Sequence, residues 1–167
     1  TKAILRLNAG GPASIDAAGA WAADRGFLGG GIADRGAIAI AGTGNPTIYR
    51  TERYGLAGYR LDLPNGDYRV LLHFAETYPA ITAVGQRVFD LKVENVSVPG
   101  LDVFARAGGA RRAYVEELNV RVADGALDIG FTARAQQPMI NAIEVIPRTP
   151  TRIDAGGDAH AETNGPL

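Results

Sequence analysis

The sequence predicts an all-β domain, an antiparallel jelly-roll β-sandwich. Three observations carry that expectation. Residues destined for opposite faces alternate along several segments: Val70, Leu72 and Phe74 interleave with Leu71 and His73, Leu118, Val120 and Val122 with Asn119 and Arg121, and Leu127, Ile129 and Phe131 with Asp128 and Gly130. Glycine or proline interrupts nearly every window of a dozen residues, so no helical periodicity is sustained. Turn chemistry separates the alternating runs: Pro64-Asn65-Gly66-Asp67 and Asp124-Gly125 supply residues that tolerate positive φ, as hairpins require. Eight to ten short strands are expected on this count, roughly the number in a sandwich.

Length sets the scale of the core. The chain has 167 residues, of which 22 are glycine and 28 alanine, and 46% are hydrophobic. With a mean hydropathy of -0.03 this is a globular composition with one core. Seventeen basic residues against eighteen acidic ones leave a net charge of -1, which offers no basic field for a phosphate backbone, so nucleic acid is not an expected partner. The absence of cysteine removes thiolate metal sites, cysteine nucleophiles and disulfides. No apolar run approaches the roughly 18 residues of a spanning helix, and membrane insertion is not expected. Fifteen of the seventeen basic residues are arginine, which with the alanine content points to a GC-rich, bacterial genome. Thr1 at the first position is expected of a mature fragment or an excised piece of a longer protein.

Taken in order, the strands define two ends of the sandwich. A strand over 47–53 climbs to a top end, 59–63 descends to the Pro64 turn, 67–76 climbs again, 87–94 descends and 96–98 ascends. Strand 113–122 then descends to Asp124-Gly125 and 127–132 returns. Antiparallel parity therefore gathers five loops at the top: Asp34-Arg35-Gly36, Tyr54–Gly58, Thr77–Gln86, Pro99–Arg112 and Ala133–Pro138. Gly42–Pro46 is read as a bottom turn on the same count. Trp21, set among small residues, is assigned to the core.

The two ends of the chain resemble each other. Arg6-Leu7-Asn8-Ala9-Gly10-Gly11 recurs as Arg152-Ile153-Asp154-Ala155-Gly156-Gly157, an offset of 146 residues. This divides the chain into a complete unit over 1–147, a linker over 148–150 bracketed by Pro147 and Pro150, and the opening of a second, truncated unit over 151–167, so that a longer, modular parent protein is expected.

The converging loops carry Tyr54, Tyr78, Pro79, Asp34, Arg35, Phe104, Arg106, Gln136 and Gln137. Flat apolar faces beside hydrogen-bonding groups suit a sugar, because a pyranose offers an apolar face of C–H groups and a rim of hydroxyls that need partners once desolvated. Asn8-Ala9-Gly10-Gly11, Tyr49-Arg50-Thr51-Glu52-Arg53-Tyr54, Gly66-Asp67-Tyr68, Phe74-Ala75-Glu76-Thr77-Tyr78, Arg87-Val88-Phe89-Asp90, Leu101-Asp102-Val103-Phe104 and Pro138-Met139-Ile140-Asn141-Ala142-Ile143-Glu144 follow one another along the chain. Through these motifs residues 4–147 resemble the malectin domain. The resemblance implies a galactose-binding-like jelly roll acting as a non-catalytic carbohydrate-binding module of bacterial type, secreted to the periplasm or the exterior, with an oligosaccharide or glycan as partner, glucose-containing ones among the candidates. It also implies that Tyr54 and Tyr78 occupy the positions of ligand-holding aromatics. Pro79 stands where the family has a further aromatic, Arg35 where it has a tyrosine before glycine, and Gln136 or Gln137 near an acid that bonds sugar hydroxyls.

Other signals lead elsewhere. Glu52 and Glu76 are the candidate pair for a glycosidase, but Arg50 and Arg53 nearby favour charge-paired structural carboxylates. Asn8 and Asp16, with Asp154 and Asp158 in the second copy, are candidate calcium ligands, although Asx turns account for the same residues, so no cofactor is expected. His73 and His160 lack metal-ligand spacing. A protein-binding adhesion domain is the alternative function, with the 151–167 tail pairing to an edge strand of a second molecule as a route to self-association.

Overall fold

A computed structural model describes residues 2–149. Among these the strands, in chain order, are β1 (Leu5–Asn8), β2 (Ser14–Asp16), β3 (Gly19–Ala23), β4 (Phe27–Leu28), β5 (Gly31–Asp34), β6 (Thr51–Tyr54) and β7 (Gly58–Asp62). They continue as β8 (Gly66–Phe74), β9 (Val88–Val93), β10 (Val96–Leu101), β11 (Tyr114–Val122), β12 (Ala126–Ala135), β13 (Met139–Ile140) and β14 (Ala142–Pro147). One short helix, α1 (Val103–Ala107), and a 3-10 turn (Pro46–Tyr49) complete the inventory. The repeat over 151–167, with Asp154, Asp158, His160 and the proposed tail pairing, lies outside the described residues.

The strands form a β-sandwich. A six-stranded sheet ordered β11-β8-β14-β1-β3-β2 packs on a five-stranded sheet ordered β10-β9-β12-β7-β4, and a small sheet ordered β13-β6-β5 stands beside them. Pairing is antiparallel except between β1 and β3. The alternation seen in the sequence decides the faces. Leu72 and Phe74 of β8 point inward with Ile143 and Val145 of β14, and they share one buried cluster with Leu61, Phe89, Leu91, Leu127 and Ile129 of the other sheet.

A second, smaller cluster lies on the outer side of the six-stranded sheet, where Trp21, Ile40, Ile48 and Tyr49 pack on Ala75 and Ala142. Residues 35–50 form a strap over it. His73, alternating outward from Phe74, is held under the strap between the Tyr49 hydroxyl and the Glu144 carboxylate, each at 2.7 Å, and Arg6 bonds Glu144 at 2.8 Å. Trp21 is core as expected, 2% exposed, with its indole N–H on Asp16. The oxygens offered for calcium serve the protein: Asp16 accepts from Trp21 and from the Ala18 amide, while Asn8 accepts from the Thr51 hydroxyl and donates to the Pro12 carbonyl.

Four expectations change. Pro64-Gly66 and Asp124-Gly125 do turn the chain, but β7 and β8, like β11 and β12, belong to opposite sheets, so both are arches across the sandwich rather than hairpins. The arches brace each other, since the Gly125 amide donates to the Asn65 side chain and the Leu63 amide to the Gly125 carbonyl. Strand 47–53 begins as a 3-10 turn because Pro46 has no N–H to give a ladder and presets a helical φ. No strand forms between Ile38 and Ala41, so Gly42–Pro46 is part of the strap rather than a bottom turn. Within the expected loop 99–112, Asp102 caps α1 by accepting from the Ala105 amide and Gly108 ends it with a left-handed φ of 83°.

Candidate functional site

The small sheet forms one wall of a cavity of about 230 Å³ lined by Ile32, Ala33, Arg35, Glu52, Tyr54, Tyr78, Arg87, Gln136 and Gln137. In β6, Glu52 and Tyr54 are two residues apart and share a face. Across the ladder, Ala33 pairs with Glu52 and Gly31 with Tyr54. The Tyr54 ring lies over Gly31 in the space where a side chain would stand: a Cβ there would come within 2.9 Å of the tyrosine hydroxyl oxygen and 3.0 Å of Cζ. Gly10 supports the same strand from behind, with a φ of +72° and no room for a Cβ, which would fall 2.1 Å from the Glu52 carbonyl oxygen.

The opposite wall comes from the segment between β8 and β9. Its anchor is Glu76, fully buried, which accepts from Arg87 at 2.7 Å and from the Tyr78 amide at 3.3 Å. Burial pushes the Glu76 carboxyl above the ordinary carboxylate range, and the neighbouring Arg87 offsets this only in part. Arg87 also donates to the Gln137 carbonyl, fastening the β12–β13 turn to the same anchor. In that turn Gln136 adopts a φ of 60°, uncommon for a residue with a Cβ, and turns toward the cavity. Tyr78 is 39% exposed, with the guanidinium groups of Arg35 and Arg87 at 5.5 and 5.9 Å from its ring centroid.

Thr77 joins the two walls. Its hydroxyl donates to Glu52 Oε1 at 2.9 Å and accepts from Arg35 Nε at 3.2 Å, while Arg35 also stands 3.6 Å from Glu52. The partners of the two glutamates are therefore Arg35 and Arg87, not Arg50 and Arg53. Strand alternation turns Arg53 to the far side, where it bonds Asp24 at 2.8 Å and packs on Phe27, and Arg50 serves the Ile38 carbonyl in the strap.

Of the seven expected site residues, the structure brings five to one cavity: Tyr54, Tyr78, Arg35, Gln136 and Gln137. Asp34 and Pro79 stay outside. Asp34 pairs with Thr51 on the other face of the small sheet, and its carboxylate closes an Asx turn with the Gly36 amide. Pro79 sits exposed in the turn after Tyr78. Phe104 and Arg106 lie on α1, outside the cavity lining, where Arg106 bonds the Tyr114 hydroxyl. Arg35 reaches the cavity by a route that parity did not foresee: β5 pairs with β6 directly, so Arg35 lies near the start of β6 and Tyr54 at its end. The cavity crosses the face of the ladder. Two further hollows, of about 310 and 360 Å³, have no aromatic side chain in their linings.

A family model for the malectin domain matches residues 3–147. The chain belongs to the malectin-domain family. A malectin domain is a binding module. The kinesin-like protein KIN-14E of Oryza sativa subsp. japonica is 32% identical over 151 residues, 84% of this chain but 14% of that protein. Among solved structures, a Bacteroides uniformis beta-glucuronidase superposes with a TM-score of 0.76 at 21% identity, covering 87% of this chain and 18% of its own. The ANXUR2 extracellular domain from Arabidopsis thaliana gives 0.76 at 16%, covering 89% and 49%. These likenesses show the fold. The chain thus spans 14% of the rice protein, 18% of the glucuronidase and about half of the ANXUR2 chain, and a rice relative gives no support to a bacterial subtype.

Proposed function

We propose that this malectin domain is a non-catalytic module that binds an oligosaccharide in the cavity between β6 and the β8–β9 segment. The observation that carries the reading is the convergence of Tyr54 and Tyr78, from segments distant in sequence, on one hollow that also holds Arg35, Gln136 and Gln137. A sugar ring lies against a tyrosine face while guanidinium and amide groups meet its hydroxyls. At about 230 Å³ the hollow falls below the roughly 300–1,000 Å³ of sites for drug-sized ligands, a size suited to one or two sugar residues. Affinity per module is then modest, in the range of about 1 μM to 1 mM. A second copy, suggested by the repeat over 151–167, raises it by effective concentration. The extracellular domain among the fold relatives supports a placement outside the cell.

A glycan array followed by calorimetry on the hits tests the reading. Binding that weakens in both Tyr54→Ala and Tyr78→Ala with little change in Tm is expected. Unaltered affinity in both variants rejects the site. A second reading, a protein-binding module, rests on Ile32, 60% exposed on β5 at the rim of the cavity, and on Leu28, 52% exposed on β4. Array hits that survive both tyrosine substitutions and disappear in Ile32→Ser favour a site on that rim.

A further inference from the structure

We infer that the free edge of β11 pairs with the same edge of a second copy of this chain, joining two six-stranded sheets about a two-fold axis at Asn119. The inference stands whether or not the cavity binds sugar. Hydrogen bonding decides which residues are open. The Arg148 amide donates to the Asp67 carbonyl in register with β14, so the odd-numbered residues of β8 turn their backbone groups to β14 and the even-numbered ones turn theirs to β11. On β11 the even-numbered residues answer them. Val115, Glu117, Asn119 and Arg121 therefore aim their amides and carbonyls off the edge of the sheet, where no described residue bonds them. Only the start of this edge is covered, by the strap, where the Ala113 amide donates to the Ala41 carbonyl.

Exposed edges are usually blunted. In the other sheet the edge strand β10 is interrupted by Pro99 and by a register shift between Val98 and Leu101, while β2 and β4 have three and two residues. β11 runs nine residues with no proline, lysine or bulge. Its side chains are instead complementary to themselves. Antiparallel pairing about Asn119 sets Glu117 against Arg121 of the second copy, twice over. A slip of two residues either way sets Glu117 or Arg121 against Asn119 and loses both ion pairs, so charge selects the register. Arg121, 72% exposed, bonds Asp67 at 2.9 Å, and Glu117, 49% exposed, bonds Arg69 at 2.6 Å, so the joined sheet carries Asp67, Arg121, Glu117 and Arg69 in a row of alternating sign. On the opposite face Leu118 comes alongside Val120 of the second copy, at a hollow of about 310 Å³ whose lining includes Val96 and Val120. Because β8 leads up to the Glu76–Tyr78 wall, antiparallel joining sets the two cavities at opposite ends of the dimer, placed to bridge two ligands rather than to grip one.

Sedimentation velocity on the full chain from about 10 μM to about 1 mM tests this. One strand pair makes a small interface, so a monomer–dimer equilibrium with a Kd of about 10 μM to 1 mM is expected. Asn119→Pro removes the amide at the axis without touching the β8 ladder, and weakens dimerisation about tenfold or more with little change in Tm. Glu117→Arg and Arg121→Glu each weaken it by about as much, whereas an equimolar mixture of these two variants recovers wild-type association, because their heterodimer regains both opposite-charge pairs. If Asn119→Pro does not fold, the mixture decides alone. A wild type that stays monomeric at about 1 mM, a mixture no better than its parts, or dimers that survive Asn119→Pro overturn the inference. Dimers indifferent to all three substitutions also overturn it, and leave the 151–167 tail as the route of association.

Discussion

Two arginine–glutamate pairs stand beside the cavity, and they differ in nearly everything except composition. Arg87 and Glu76 meet at 2.7 Å with 4% and 0% of their side chains exposed, and their other hydrogen bonds go to the backbone of Tyr78 and Gln137. Arg35 and Glu52 stand 3.6 Å apart with 24% and 1% exposed, and each keeps polar atoms that no described residue bonds. The closed pair holds the walls together; the open pair faces whatever fills the space between them. A charged residue in a pocket is thus assigned by its unspent hydrogen bonds rather than by its type.

The contrast can be broken most readily at Arg87. Arg87→Met is expected to cost about 3–5 kcal/mol of stability, since it strands a buried carboxylate. The cost has a pH signature. Burial raises the Glu76 carboxyl above its unfolded value, near 4.3 for a glutamate, so the folded state keeps the proton to higher pH and the penalty grows as pH rises through the folded pKa. Denaturant midpoints should separate more at pH 8 than at pH 5; equal separation means Glu76 is not the stranded group. Next in size, Tyr54→Ala should weaken sugar binding about 10- to 100-fold, roughly 1.4–2.7 kcal/mol, with the Tm nearly unchanged. Gly31→Ala sharpens this. The added methyl displaces the Tyr54 ring, so affinity should fall several-fold although no ligand-facing group has been removed. Arg35→Met should cost less than about 1 kcal/mol of stability, because its ion pair is long and partly wet; a loss near that of Arg87→Met erases the distinction.

The smallest effect lies away from the cavity. Burial pushes the Glu144 carboxyl up, but hydrogen bonds from His73 and Arg6 outweigh it and hold the group below the ordinary range. Its stabilisation is therefore present above the unfolded pKa and lost as pH falls through the folded one. Glu144→Gln should flatten the stability profile between about pH 5 and pH 3 relative to wild type.

Much of the fold was legible because strands write their faces in alternate residues, and Val70, Leu72 and Phe74 on β8 or Leu127, Ile129 and Phe131 on β12 do so plainly. The arches were misread for a physical reason: Asp124-Gly125 specifies a reversal, but which sheet receives the returning strand depends on contacts far along the chain. The short helix was signalled by Asp102 and Gly108 and hidden by its five-residue length. At the cavity, Tyr54 and Tyr78 were legible as aromatics beside turns. Glu52 had a usable signal in its two-residue spacing from Tyr54, which predicts a shared face. Arg87 had none, because nothing local in the sequence ties the start of β9 to the carbonyl of Gln137.

The first and last strands lie against each other, Leu5 beside Val145 and Asn8 beside Ala142, and β1 runs toward the Gly10 contact with Glu52. Whatever polypeptide joins either end of the unit therefore leaves from one shared doorway, with the roughly 10 Å of β1 between it and the turn that reaches Gly10. Insertion of such a unit into a longer chain needs both joints at one place, much as a bead hangs on a short loop of string.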